Sequence, residues 1–196
     1  MIYNKEQIDL YLKKMEYNDE IKIDYNTLCK LQIAHLTHIP YENIDVLNRK
    51  PISLESQDLF NKMIVKQRGG YCFELNGLYS NLLKSLGFNV TNLAGRFIYQ
   101  DGNTRMRLHR ILKIDIDDKS YISDVGVLSE LSRKSLELEI GKVQNDGKCD
   151  YKFEYNPKQE GEYILYQRKP KKDWKQIYSF SLEPQLDIDY VLASFY

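Results

Sequence analysis

The chain reads as an α+β protein, with an N-terminal helical bundle followed by an antiparallel β-barrel or sheet. Three observations predict this. Apolar residues recur at helical spacing as far as Leu86. Gly87 stops that pattern, and beyond it short runs rich in β-branched and aromatic residues take over. Turn signals at Asp101-Gly102, Asp117-Asp118 and Asp146-Gly147 punctuate those runs.

Each element has its own local reason. Asn4 and Gln7 form a capping-box pattern, and Ile8, Tyr11, Leu12 and Met15 give a first helix. Asp24 caps a second through Leu28, Leu31 and His35, which Pro40 ends because it has no N–H to donate. Ser56 caps a third, with Leu59, Phe60, Met63 and Ile64 turned inward. A fourth starts at Cys72 and carries Phe73, Leu75, Leu78, Tyr79, Leu82, Leu83 and Leu86 on its apolar side. Residues 90–98, 108–116, 121–127, 151–155, 163–167 and 177–182 read as strands. The bundle therefore occupies residues 1–86 and the barrel residues 87–185, with no internal repeat and no low-complexity linker.

Composition excludes several function classes. The 196 residues hold 28 basic and 28 acidic side chains, so no electrostatic footprint for nucleic acid is expected. No apolar run approaches the roughly 18 residues that cross a bilayer, so no membrane partner is expected. The N-terminus lacks the basic-then-apolar order of a signal peptide. Cys29, Cys72 and Cys149 are widely spaced and odd in number, which favours free thiols in a reducing cytoplasm over a disulfide framework. No metal is expected, since the three histidines make no ligand cluster.

The candidate chemistry centres on Arg68-Gly69-Gly70-Tyr71-Cys72-Phe73-Glu74-Leu75-Asn76. Two glycines turn the backbone sharply and leave room for a substrate. The cysteine then falls in the first helical turn, where unpaired N–H groups and the helix dipole favour a thiolate. A strand carries His109, and a turn leads to a second strand carrying Asp124. A cysteine nucleophile needs a base, and the base needs a group that fixes its tautomer. Cys72, His109 and Asp124 supply these types in that chain order. Each also has a plainer reading: a buried helix cysteine, a solvated strand histidine, an aspartate opening a turn.

These residues resemble the arylamine N-acetyltransferase family, whose R-G-G-x-C-x-E-x-N motif matches residues 68–76 and whose D-V-G motif matches 124–126. His38-Ile39-Pro40-Tyr41-Glu42-Asn43-Ile44 is similar to the family's I-P-F-E-N-L stretch, and residues 58–64 to the helix before the glycines. Tyr178-Ser179-Phe180-Ser181-Leu182-Glu183-Pro184-Gln185 is similar to its Y-x-F-x-L-E-P-Q strand end. The resemblance covers the whole chain. It implies a papain-like core, with the cysteine on a helix and the histidine and aspartate on strands. It implies ping-pong transfer of an acetyl group from acetyl-CoA, through a thioester on Cys72, to an arylamine, arylhydrazine or arylhydroxylamine. Arg105 and Met106 are then expected to contact the cofactor, and Leu108 and Val127 the small-molecule aromatic acceptor. Two departures qualify this. Residues 186–196 resemble the start of an interdomain helix, and the family's C-terminal domain, which helps hold coenzyme A, is missing from this sequence. The family often reads D-V-G-F-G where this chain reads Asp124-Val125-Gly126-Val127-Leu128, with a smaller residue for the aromatic and leucine for the second glycine. A thiol hydrolase of acyl-CoA or small esters and amides, using the same triad, is the alternative, as is a silent truncated member acting as a binding module. Arg68 is expected to pair with Glu42, and Glu74 and Asn76 to brace the cysteine loop. The basic run at residues 168–175 reads as a solvated loop, with attraction of coenzyme A phosphates as its second reading.

Overall fold

The computed structural model describes residues 2–99, 101, 103–127 and 132–194. Helix α1 spans Lys5–Lys14, and the Asn4–Gln7 capping box forms as the sequence predicts. Helix α2 spans Tyr25–His38, with the Asp24 carboxylate accepting from the Thr27 N–H. Short helices α3 (Ile44–Leu47) and α4 (Ser56–Phe60) follow, and α4 runs directly into a π-helical turn at Asn61–Val65. Helix α5 spans Cys72–Ser85. Strands β1 (Asn89–Phe97), β2 (His109–Ile116), β3 (Lys119–Ser123), β4 (Leu136–Glu137), β5 (Gln144–Asn145), β6 (Asp150–Tyr155), β7 (Glu162–Arg168) and β8 (Lys175–Ser181) come next. Helix α6 (Asp189–Ala193) closes the order. The eight strands form one antiparallel sheet in the order β4-β3-β2-β1-β8-β7-β6-β5. Helices first and an antiparallel sheet after them is the class read from the sequence.

Several details differ from the sequence reading. Ser56 is the first helical residue of α4, and Glu55 occupies the cap without a side-chain bond. Helix α3 and strands β4 and β5 are too short to leave a periodic signal. The strand expected over residues 121–127 stops at Ser123, so Asp124 sits just past it rather than on it. Pairing with β2 ends at Leu112 and Ser123. Past Asp124, two successive N–H groups bond to side chains: Val125 N to Asn76 Oδ1 and Gly126 N to Asp124 Oδ1.

Strand β2 explains how the layers join. Leu112 and Ile114 on one face pack with Leu28, Leu31, Leu78 and Leu82 of the helices. Ile111 on the other packs with Leu93, Phe153, Tyr178 and Phe180 inside the sheet. A strand covered on both faces reads as a nearly continuous apolar run, which is what Ile111–Ile114 shows. Its first residue, His109, lies where helix α5 meets the sheet. Among the described residues, no helix is long and apolar enough to cross a membrane.

Candidate active site

Cys72 is the first residue of α5, and Tyr71 ahead of it is extended. The glycines are required by close approach. A Cβ at Gly69 would lie 2.2 Å from the Pro40 carbonyl oxygen, and one at Gly70 2.9 Å from Glu74 Cβ. The loop is pinned to residues 40–42 by Gly70 N donating to Pro40 O (3.3 Å) and Glu42 N to Gly70 O (2.9 Å). Arg68 donates to Glu42 Oε1 from both Nε (3.0 Å) and Nη2 (2.6 Å), the expected pair, and Nη2 also reaches Asp45 Oδ2 at 3.0 Å.

His109 is fully buried, between the rings of Phe97 (4.7 Å) and Tyr178 (5.4 Å). Its Nε2 lies 2.6 Å from Asp124 Oδ2. A carboxylate only accepts, so Nε2 carries the proton and Nδ1 is left as the basic nitrogen. Nδ1 is buried and has no hydrogen-bond partner. The Cys72 Sγ donates to the Leu108 carbonyl at 3.6 Å and also lies close enough to interact with the His109 ring. Burial alone would push the His109 pKa down; the Asp124 carboxylate and the nearby Cys72 sulfur outweigh it, and the ring holds its proton more tightly than a free imidazole.

Asn76, one turn along α5 from Cys72, ties these parts together. Its Nδ2 donates to Asp124 Oδ1 (2.8 Å) and to the Arg110 carbonyl (2.7 Å), while its Oδ1 accepts from Val125 N (3.0 Å). One side chain thus links helix α5, strand β2 and the aspartate, a stronger form of the bracing expected of it. A Cβ at Gly126 would stand 2.6 Å from Asn76 Nδ2 and 2.8 Å from Cys72 Cα, so this loop abuts Cys72 because the residue is glycine.

Cys72, His109 and Asp124 therefore converge. Arg105, Met106 and Leu108, with Phe97 and Tyr99, line a groove of ≈ 390 Å³ whose Phe97 ring lies 4.7 Å from the His109 ring. Arg105 is paired with Asp101 and lies 5.0 Å over the Tyr99 ring, and Met106 is exposed. Val127 is half-buried but is not among the groove's lining residues, and Leu128 lies outside the described residues. The basic run at 168–175 is partly engaged: Arg168 bonds Asp150 of the neighbouring strand β6 and stacks on Trp174 at 4.6 Å. His35 and His38 are bonded to Tyr11 Oη and the Ala34 carbonyl. The sequence reading gave no role to Phe97 or Tyr178. Phe97 carried only the apolar signal that any core residue shares, and Tyr178 only its place at the head of the Tyr178–Gln185 stretch.

Comparison with known proteins agrees with this geometry. The N-acetyltransferase family model matches residues 24–196. The arylamine N-acetyltransferase of Escherichia coli is 32% identical over 187 residues, spanning 95% of this chain and 65% of that protein. The arylamine N-acetyltransferase / N-hydroxyarylamine O-acetyltransferase of Salmonella typhimurium is 36% identical over 167 residues, 85% of this chain and 58% of that protein. The chain thus spans about two thirds or less of these relatives' length. The solved structure of the Salmonella typhimurium arylamine N-acetyltransferase superposes with a TM-score of 0.91 at 31% identity, covering 98% of this chain and 69% of that one. That of the Mycobacterium marinum arylamine N-acetyltransferase in complex with CoA superposes with a TM-score of 0.89 at 28% identity, covering 96% and 70%. With the family match and the backbone superposition each covering most of the chain, the chain belongs to the arylamine N-acetyltransferase family.

Proposed function

We propose that this chain transfers an acetyl group from acetyl-CoA to a small aromatic amine, hydrazine or hydroxylamine, through a thioester on Cys72. The observation that carries this reading is the buried 2.6 Å bond from His109 Nε2 to Asp124, which leaves Nδ1 as the basic nitrogen of a ring that interacts with the Cys72 sulfur. In the proposed cycle, Nδ1 takes the thiol proton and the sulfur attacks the thioester carbonyl. The C–S bond to coenzyme A breaks and its thiolate leaves with a proton. The acceptor nitrogen then attacks the acetyl-cysteine, gives up its proton to His109 and releases Cys72. Backbone N–H groups at the start of α5 are suited to the oxyanion. The groove lined by Arg105, Met106 and Leu108 is the proposed approach for donor and acceptor, supported by the Phe97 ring that it shares with the His109 contact, while the complex of the Mycobacterium marinum relative with CoA supports a coenzyme A donor. Val127, immediately after Gly126, is proposed as a second acceptor contact. No metal enters the scheme. The free thiols of Cys29, Cys72 and Cys149 support a cytoplasmic setting.

Brief exposure to acetyl-CoA followed by peptide mass mapping tests the reading. Acetyl label is expected on Cys72 and not on Cys29 or Cys149, and Cys72→Ala should abolish transfer to an aromatic amine. Label on another cysteine overturns the assignment, and acetyl-CoA turnover that ignores added amine favours the hydrolase reading.

A further inference from the structure

Just ahead of the glycine–cysteine loop lies a π-helical turn that the apolar pattern does not ask for. Leu59, Phe60, Met63 and Ile64 already share one face of an ordinary α-helix, and all four are buried. The chain nonetheless widens at Asn61–Val65, with Lys66 N bonding back five residues to Asn61 O at 2.9 Å. Arg68 N then bonds to Lys62 O at 3.1 Å, and between them Gln67, a non-glycine, takes a left-handed φ of 54°. Wide turns and left-handed non-glycine residues each carry a local cost, and both gather at functional sites.

What the turn achieves is the placement of Lys62. Its ammonium lies 2.8 Å from Glu74 Oε1, 2.9 Å from Asp45 Oδ2 and 4.0 Å from Glu42 Oε1. Glu74 is only 2% exposed, so its carboxylate needs a counter-charge where it sits. Its other oxygen, Oε2, accepts from Tyr71 N at 3.2 Å. That N–H belongs to the residue immediately before Cys72. Gly70 lets the carboxylate approach, since a Cβ there would stand 3.2 Å from Glu74 Oε2 and 3.0 Å from Met63 Sδ. A chain of contacts runs from the turn, through Lys62 and Glu74, to the backbone that delivers the sulfur.

We propose that Lys62 is a positioning residue for the nucleophile: from the π-helical turn it holds the buried Glu74 carboxylate against the Tyr71 N–H, and so fixes the start of α5 and the aim of Cys72. This rests on Cys72 being the nucleophile proposed above. Lys62 touches neither substrate nor the reacting atoms; it acts through Glu74. Removing the ammonium leaves an uncompensated carboxylate, which turns toward water and releases Tyr71. Removing both charges relieves that pull, because a glutamine needs no counter-charge and its carbonyl oxygen can still accept from Tyr71 N.

Three forms of the full chain test this: the unaltered protein, Lys62→Met, and Lys62→Met with Glu74→Gln. Two readouts do not depend on acetyl transfer: the rate of Cys72 alkylation by iodoacetamide at one fixed pH, and hydrogen exchange at the Tyr71 amide. The third is steady-state acetyl transfer. Lys62→Met is expected to slow alkylation and kcat by about tenfold or more, with donor KM little changed, since small misplacements of a reacting group cost rate rather than binding. Tyr71 exchange should quicken by about tenfold. The double variant should recover alkylation, exchange and kcat to near the unaltered values. A Lys62→Met protein with unaltered alkylation and exchange overturns the proposal, and so does a double variant as impaired as the single one. If Lys62→Met does not fold, the double variant against the unaltered chain decides alone. If the unaltered chain alkylates at Cys72 but transfers no acetyl group, the functional reading fails while the alkylation and exchange comparison still judges Lys62.

Discussion

Asp124 does more than carry charge. Its Oδ2 fixes which nitrogen of His109 is basic, while its Oδ1 accepts from Asn76 and from Gly126 N. Asparagine at this position keeps an oxygen for Asn76 and Gly126 but turns its NH₂ toward His109. The ring must then accept through Nε2 and carry its proton on Nδ1, which is the wrong tautomer for taking a proton from sulfur. Asp124→Asn is therefore expected to lower acetyl transfer by roughly a thousandfold or more. Its thermal unfolding should move by only a few degrees, because the Oδ1 contacts survive. Activity assays beside a melting curve check both halves. A large loss of stability with modest loss of rate would point to a bracing role alone.

At the level of elements, two joints carry specific demands. The loop after β3 passes so close to α5 that only glycine fits at position 126. In Gly126→Ala the new methyl must displace the Asn76 amide or the Cys72 backbone, and both belong to the proposed machinery. The expected result is a destabilisation of about 1–3 kcal/mol, typical of overpacking, with a loss of transfer larger than the stability change explains. Chemical denaturation and initial rates on the same preparation measure the two. The other joint ties α1 to α2 through a buried bond between Tyr11 Oη and His35 Nδ1, 2.9 Å long. Burial lowers the His35 pKa from 6.5 to about 3, so the ring stays neutral in the fold while it protonates in the unfolded chain. Its contribution is complete above pH 6.5 and is lost as pH falls toward 3. The slope approaches about 1.4 kcal/mol per pH unit for this one group. His35→Gln retains an acceptor for Tyr11 but does not titrate, so its stability should fall less steeply between those limits. Parallel acid limbs in the two proteins would contradict this account.

Across the whole molecule, the segment after β8 returns to cover the opening between helices and sheet. Tyr190 of α6 is 2% exposed, packs on Phe73 and donates its hydroxyl to the Leu93 carbonyl at 3.0 Å. Arg110, next to His109 on β2 and 1% exposed, lies 4.7 Å under the Tyr190 ring and bonds Asp187 Oδ1 at 2.7 Å. Its Nε and Nη1 have no hydrogen-bond partner, so Asp187 is the main compensation for a buried charge. Asp187→Ala should destabilise by about 2–3 kcal/mol, below the usual cost of orphaning a buried ion because Asp187 itself is more than half exposed. Replacing Arg110 with methionine in the same background should restore much of that loss. A melting series across the two single variants and the double variant measures the coupling.

The amino-acid sequence by itself determined the fold class, the order of the main elements and the three residues that converge. These properties are local or nearly so. Periodicity marks α1, α2, α5 and the longer strands; Asn4 and Asp24 carry their own caps; two glycines announce the close approach before Cys72. Tertiary structure alone decided the rest, because it depends on groups far apart in the chain meeting in space. The sequence holds Asn76 beside Cys72, but only packing of α5 on β2 brings its amide to Asp124 and Val125. It holds Phe97 and Tyr178 as two apolar residues among many, and pairing of β1 with β2 and β8 makes them the walls around His109. The π-helical turn left no signal, since its apolar residues fit an α-helix equally well, and its reason lies in Glu74, beyond the loop. Hydrophobic pattern sets which face of an element is buried. Which polar group each buried charge finds there is settled only when the elements meet, because an unpaired one is too costly to keep.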